Sequence, residues 1–371
     1  MSRPGGAVRG GGGATDACFS FPRNPPLLAG HALGNFALEL DDGYLMCGAL
    51  DYDSTFIRMD KQTGKELSRW TFDGGAKDAC ESVVALPGGG FAVAGYFAAD
   101  DGENSFFSEG SGYLAFLNSN GELTKKVNLN PYEMAHGYRM FLNNGELILA
   151  GLSPGAEDFT YIRFSLSGDV LLSKTFNGGN PDRADHMFAA DVAWRPCAGG
   201  ECEDVLGGDV YLAGHTTSGA AKNWDALVMK VSGSTGEAVW KRTIGNPRGF
   251  NPKWVHDECW GARATSGGGV LVVCGTGDEY KYSSCKQGDC SDNWKVWLLE
   301  YSSGGKLEWS SYYGGPYAGN GAIFQDGKWV SGQDKDLGDW AGEDVVIDDA
   351  GDAVVSVDNG GFGFLKVKGP F

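Results

Sequence analysis

Residues 256–316 read HDECWGARATSGGGVLVVCGTGDEYKYSSCKQGDCSDNWKVWLLEYSSGGKLEWSSYYGGP. Four runs rich in β-branched and aromatic residues alternate with glycine-containing turns, which predicts four antiparallel strands. The second run ends in an apolar residue, a small residue and glycine, and this ending recurs through the chain. The copies are Tyr44–Gly48, Phe91–Gly95, Leu147–Gly151, Val210–Gly214, Leu271–Gly275 and Lys328–Gly332.

The spacing of these copies decides the fold class. They lie roughly 50–60 residues apart, a period typical of propellers and solenoids. The sequence therefore predicts an all-β fold, a six-bladed β-propeller with four antiparallel strands per blade. A pair of β-sandwiches would not repeat one four-strand unit so regularly.

The last blade can be drawn in two ways. In the favoured one, Lys328–Gly332 and Asp344–Ile347 are its second and third strands. In the alternative, Glu343–Gly351, Asp352–Val357 and Phe362–Val367 are three strands of a seventh blade. The N-terminal segment Ala17–Pro22 then closes that seven-bladed ring.

Residues 16–371 are expected to form this single domain. Residues 1–15 (MSRPGGAVRGGGGAT) predict a flexible Gly/Arg-rich tail, and they contain no apolar segment of the kind found in signal peptides.

Composition narrows the range of partners. The net charge of −18 argues against nucleic acid, and no apolar run is long enough for membrane insertion. Nine cysteines are many for a reducing compartment, so we expect an extracellular or secretory protein. The oligomeric state is not predicted.

The spacing of the cysteines predicts disulfides. Two pairs, Cys197–Cys202 and Cys285–Cys290, each enclose a polar turn. Cys259 and Cys274 are placed to face each other across a hairpin, whereas Cys80 and Cys259 should lie too far apart to bond.

Several repeats resemble known propeller families. Asp60–Lys65 followed by Trp70, and Ser234–Glu237 followed by Trp240, loosely resemble the tryptophan-docking repeat of quinoproteins. The glycine-rich units are similar to propeller repeats of bacterial extracytoplasmic proteins. The quinoprotein resemblance would imply eight blades and an adjacent Cys-Cys pair. This chain has neither, so no quinone is expected, and no nucleotide-binding motif is present.

The histidines gather at one predicted end of the ring. Aligning the starts of the first strands brings Gly34, Cys80, His136, His186, Cys259 and Asn320 to one position. His31 and His256 lie three residues earlier in their units, and His215 directly follows a second strand. Because these segments open on the same face, all five histidines of the chain should lie there.

Histidine titrates near neutrality and is the commonest metal ligand, so this cluster predicts chemistry. His136 and His186 lie in neighbouring blades and are the predicted ligands of a divalent metal ion (Zn, Fe or Ca). A metal-free alternative uses a histidine with a carboxylate as an acid–base pair. The candidate catalytic residues are His136, His186, His256, Asp257 and Glu258.

The expected function is that of an enzyme, a metal-assisted lyase or hydrolase acting on a neutral or cationic small molecule or glycan. The alternative is a non-catalytic propeller that binds a glycan or a protein. Aromatic loops on the same face predict a stacking wall. The candidate substrate-binding residues are His31, Asp185, His215, Trp254, Trp260, Tyr280, Trp294 and Trp340.

Overall fold

The computed structural model of the chain describes residues 17–20, 32–63, 65–99, 110–156, 158–177, 185–192, 208–218, 223–245, 251–278, 283–284, 294–314, 323–325, 328–330, 340–358 and 362–371. The predicted tail, residues 1–15, lies outside this part. Among the described residues, no helix has the length and apolar character needed to cross a membrane.

Strands dominate the described residues. In chain order they are β1 (Ala17–Ser20), β2 (Ala32–Leu40), β3 (Gly43–Leu50), β4 (Asp53–Asp60), β5 (Glu66–Phe72), β6 (Lys77–Ala85), β7 (Phe91–Ala99), β8 (Ser111–Leu117), β9 (Leu123–Asn128), β10 (His136–Asn143), β11 (Glu146–Leu152), β12 (Phe159–Ser165), β13 (Val170–Phe176), β14 (Asp185–Val192), β15 (Val210–Thr216), β16 (Asp225–Val231), β17 (Ala238–Ile244), β18 (His256–Ala264), β19 (Val270–Gly277), β20 (Lys295–Tyr301), β21 (Leu307–Tyr313), β22 (Ile323–Gln325), β23 (Lys328–Val330), β24 (Ala341–Ile347), β25 (Ala353–Asp358) and β26 (Phe362–Val367). Short 3-10 helices lie at Asn130–Tyr132, Pro154–Ala156 and Pro252–Trp254.

These strands form six four-stranded antiparallel sheets, the blades of a propeller. Blades I to V are β2–β5, β6–β9, β10–β13, β14–β17 and β18–β21, each with its first strand innermost. Blade VI has the order β24-β25-β26-β1, so the N-terminal strand β1 is its outermost strand. The predicted all-β, six-bladed propeller with four antiparallel strands per blade is confirmed.

The favoured composition of the last blade was wrong. Ala341–Ile347 is the inner strand of blade VI rather than a third strand, and the segment around Lys328 forms a separate hairpin of β22 and β23. The strands drawn for a seventh blade are those of blade VI. The reason is physical: β24 packs against β18 and β19 of blade V, so it takes the inner position next to that blade.

Close packing between blades depends on glycine at defined turns. Trp70 of β5 lies against Gly121, which has a φ of +82° in the turn between β8 and β9. Trp240 of β17 lies against Gly305, in the turn between β20 and β21, in the same way, three blades further round the ring. A side chain at either glycine would collide with the indole, so glycine is required for the blades to approach.

Two disulfides cross-link the described residues. Cys259–Cys274 joins β18 to β19, as predicted from their positions around the hairpin turn. Cys80 bonds to Cys47 of blade I, a pairing that the sequence did not predict. Cys197–Cys202 and Cys285–Cys290 lie outside the described residues.

Candidate functional site

The inner strands share one irregularity, a β-bulge at the same height in all six blades. In each blade one extra residue interrupts the pairing of the first strand with the second. Bulges turn side chains away from the regular sheet faces and occur often beside active sites. The six extra residues are Asn35, Glu81, Tyr138, Phe188, Trp260 and Glu343.

The bulges bring residues of distant blades together at the ring axis. Tyr138 of blade III and Trp260 of blade V lie in one cluster with Leu152, although blade IV separates their strands. Asn35 of blade I donates a hydrogen bond to the carbonyl of Cys80, at 3.0 Å. Asn35, Tyr138 and Trp260 therefore contribute to a layer around the axis.

Charged residues that follow three of the bulges form an ionic layer. Asp344 Oδ2 of blade VI lies 3.7 Å from Arg139 Nη1 of blade III and 3.5 Å from Arg263 Nη2 of blade V. The Arg139 guanidinium also lies over the Phe36 ring of blade I, 5.0 Å from its centroid. Since blades III and VI are opposite in a six-membered ring, Arg139 spans the axis.

Glu81 is the most perturbed acid of this region. Its side chain is buried, and Oε1 has no hydrogen-bond partner among the described residues. Burial raises the pKa of the carboxyl from 4.5 to about 8, against the opposing attraction of the Arg139 guanidinium. The carboxyl is therefore predominantly protonated at neutral pH and can donate a proton.

Arg139 faces the same cluster and is itself incompletely paired. Its Nε and Nη1 atoms have no hydrogen-bond partner within the described part of the chain. Burial lowers the pKa of its guanidinium, and Asp344 opposes this shift. Unpaired buried polar atoms are costly in a folded protein, and they concentrate where a ligand or reaction uses them.

His136 is held beside these groups by aromatic rings. Its imidazole is fully buried and stacks on Tyr96, with ring centroids 4.3 Å apart. His136 Nδ1 lies 3.4 Å from the hydroxyl of the bulge residue Tyr138. We call Glu81, His136, Tyr138, Arg139 and Asp344 the axial site.

The other predicted histidines occupy different surroundings. His215 is buried, with its ring edge-on to Trp224 and Trp260 at centroid distances of 4.6 Å and 5.8 Å. The backbone of His186 pairs with that of His215, which places both at the end where the inner strands begin. The side chains of His186 and Asp185 lie outside the described residues, as do His31 and Tyr280.

The predicted acid–base group on β18 is divided between surface and interior. His256 Nδ1 lies 3.6 Å from Glu258 Oε1, and both side chains are partly exposed. Asp257 is buried and accepts a hydrogen bond of 2.5 Å from the hydroxyl of Thr276. Of the two carboxylates predicted as partners of a histidine, Glu258 lies beside His256, whereas Asp257 is held in a separate buried contact.

The described tryptophans of the predicted aromatic wall lie in different surroundings. Trp340 is fully buried in the core between blades V and VI, where its ring packs with apolar residues. Its backbone N–H donates a hydrogen bond to the carbonyl of Trp294. Trp294 packs against the backbone of Gly277. Trp254 remains 37 % exposed, and the Lys253 ammonium lies 5.1 Å from its ring centroid.

Three carboxylates that could hold a metal ion lie together at a place that the sequence did not indicate. Within the described residues, the group of three ligating side chains is Asp53, Asp73 and Asp78, whose oxygens lie within 4.8 Å of one another. Burial raises the pKa of Asp53, and the nearby negative charges of Asp73 and Asp51 raise it further. The predicted His136–His186 metal pair stays a prediction.

Sequence reasoning missed Glu81, Tyr138 and Arg139. The signal lay one or two positions beyond the aligned starts of the inner strands, where the bulges fall. Asn35, Glu81 and Trp260 directly follow the aligned position in their units. Tyr138 and Phe188 lie two positions beyond it, so the alignment alone did not show that the five residues correspond.

The chain matches no protein-family model, and no curated protein matches it significantly. Among solved structures, the Dos1 propeller is similar at 12 % identity and a TM-score of 0.44, covering 92 % of this chain and 81 % of that one. A glucose dehydrogenase is similar at 9 % identity and a TM-score of 0.42, covering 91 % and 99 %.

A third similar structure is the β-propeller domain of the Trilobed protease from Pyrococcus furiosus. It has 12 % identity and a TM-score of 0.40, covering 91 % of this chain and 82 % of that domain. At these values the comparisons assign no activity to the chain.

Proposed function

We propose that this protein is an enzyme, a lyase or hydrolase, in which Glu81 of the axial site is the general acid. One observation carries the proposal: a buried carboxyl with a pKa of about 8 lies on a bulge at the ring axis with one oxygen unpaired. A carboxylic acid kept neutral near pH 7 is a common device for protonating a leaving group.

The neighbouring groups support this assignment. The Arg139 guanidinium stabilises the carboxylate that remains after Glu81 has donated its proton. His136, in its neutral form, is the candidate base for a lyase or the activator of water for a hydrolase. The pKa of Tyr138 is raised by burial, so its hydroxyl acts as a hydrogen-bond donor rather than as a base.

The substrate class follows the earlier expectation of a neutral or cationic small molecule or glycan. A protonated Glu81 carries no charge, and the protein as a whole is acidic, so neither repels such a substrate. The two disulfides support the further proposal that the protein works in an oxidising compartment.

A pH–rate profile tests the proposal. Purified protein is assayed against disaccharides and alkyl esters, whose alcohol leaving groups need protonation, and the active class is measured from pH 5 to 10. Because the protonated carboxyl is the active form, the rate should fall as the pH rises through about 8. Glu81→Gln should lower kcat by about a hundredfold or more, the range for losing a general acid.

Two further variants separate the alternatives. Glu308→Gln removes an exposed acid of β21 and controls for charge. Glu258→Gln tests the His256–Glu258 pair. If Glu258→Gln abolishes activity while Glu81→Gln does not, the acid is not at the axis. Glycan binding without turnover would favour the non-catalytic alternative.

A further inference from the structure

A cavity of about 300 Å³ lies between blades I and II, away from the axis. One wall is formed by Phe56, Trp70 and Phe72 of blade I, and the other by blade II, including Tyr113 and Ala115. Four of its lining residues are therefore aromatic, and they come from both blades. A flat ring is the shape that such walls accept.

The cavity has a cause in the sequence. In blades I to V, a bulge follows a common position on the third strand. Blade II has the small residue Ala115 there. The other four blades have large apolar side chains at that position, namely Ile57, Ile162, Met229 and Leu299. The space that those residues fill in the other blades is left open between blades I and II.

A lysine lies at the edge of the same space. Lys126 pairs with Ala115 across β8 and β9, so both side chains project from the same face of blade II. Its Nζ lies 4.5 Å from the centroid of Phe72 and 5.8 Å from that of Tyr113, and both rings line the cavity. It also lies 3.4 Å from the centroid of Phe97.

The surroundings of Lys126 favour an anionic partner. Its side chain is partly buried among the rings of Phe72, Phe97 and Tyr113. An ammonium held mainly by ring faces gains more from a carboxylate than one that is fully solvated, because the contact is partly shielded from water.

We propose that this cavity binds a flat aromatic carboxylate, whose ring lies between the aromatic walls and whose carboxylate pairs with Lys126. The site is separate from the axial site, and the proposal does not depend on the proposed enzyme activity.

Calorimetric titration of the full chain with 2-naphthoate tests the proposal. We expect saturable binding of one ligand per chain. Ala115→Leu restores the volume found in the other blades and should weaken binding by about tenfold or more, while the thermal midpoint stays the same or rises. Ala238→Leu, at an exposed position of β17, is the matched control and should bind as the parent does.

The charge requirement is tested separately. Lys126→Met keeps the length of the side chain and should weaken 2-naphthoate by about tenfold, but leave the neutral 2-naphthalenemethanol unchanged. Lys125→Met, at the exposed neighbouring position, is the control. Absence of saturable binding to the parent protein, or equal affinity of Ala115→Leu, would overturn the site. Equal loss of both ligands in Lys126→Met would overturn the carboxylate assignment.

Discussion

Replacing Glu81 by glutamine should change how the stability of the protein depends on pH. The folded protein holds this carboxyl neutral, with a pKa of about 8 against an ordinary value of 4.5. The unfolded chain ionises it above pH 4.5. Between these two pH values the folded state binds more protons than the unfolded state, so Glu81 lowers stability progressively as the pH rises.

The magnitude follows from the two pKa values. Each pH unit between them costs about 1.4 kcal/mol, so the total from pH 4.5 to pH 8 is about 5 kcal/mol, of which about 3 kcal/mol is reached by pH 7. Glutamine has a similar shape and does not ionise. The free energy of unfolding of Glu81→Gln, relative to that of the parent protein, should therefore increase by about 5 kcal/mol between pH 4.5 and pH 8.

Urea denaturation at half-unit pH intervals measures the effect. The two proteins share all their other titrating groups. The difference between their free energies of unfolding, plotted against pH, therefore reports the titration of Glu81 alone. Glu308→Gln is the control for loss of an exposed acid. If the difference in free energy of unfolding does not change from pH 4.5 to pH 8, the Glu81 carboxyl is not held neutral in the folded protein.

Three further substitutions test the fold and the axial site. Gly121→Ala should cost at least about 2 kcal/mol in thermal unfolding, because the new methyl group collides with the Trp70 indole and the φ is unfavourable for alanine. Gly145→Ala is the control: its φ is +78° but the space around it is open, so it should cost only about 1 kcal/mol. Equal losses would contradict the packing of Trp70 on Gly121. Asp344→Asn leaves the buried guanidinium of Arg139 and the partly exposed guanidinium of Arg263 without their shared carboxylate and should cost about 2–3 kcal/mol in urea denaturation. An unchanged midpoint would argue against the ionic layer. Replacing both Cys47 and Cys80 by alanine opens a loop spanning 33 residues and should lower stability by about 3–4 kcal/mol under oxidising conditions, with no difference from the parent protein once both are reduced.

The blades could be read from the sequence because their determinants are local. A strand followed by a glycine turn and another strand is specified within about ten residues, and the repeat confirms each copy against the others. The last blade was misread because Lys328–Gly332 carries the same local ending as a true second strand. What excludes it is the pairing of β26 with β1, a contact between the two ends of the described chain.

The axial site could be predicted from the sequence only in part, for a similar reason. Histidines at strand starts could be placed at one end of the ring, but a bulge changes the register by one residue without leaving a clear mark in the sequence. The alignment put His136 level with Cys80. In the structure Gly137 occupies that level, so Tyr138 and not Gly137 corresponds to Glu81. The Cys47–Cys80 bond was missed because it depends on how neighbouring blades sit against each other.

The six aligned bulges also bear on how such a protein changes over evolutionary time. Asparagine, glutamate, tyrosine, phenylalanine and tryptophan all occupy this position in the same backbone geometry. The geometry is therefore maintained with side chains of very different kinds. A substitution at one of the six positions alters the chemistry at the axis while the neighbouring strands keep their pairing, so new activities can arise by single replacements without a new fold.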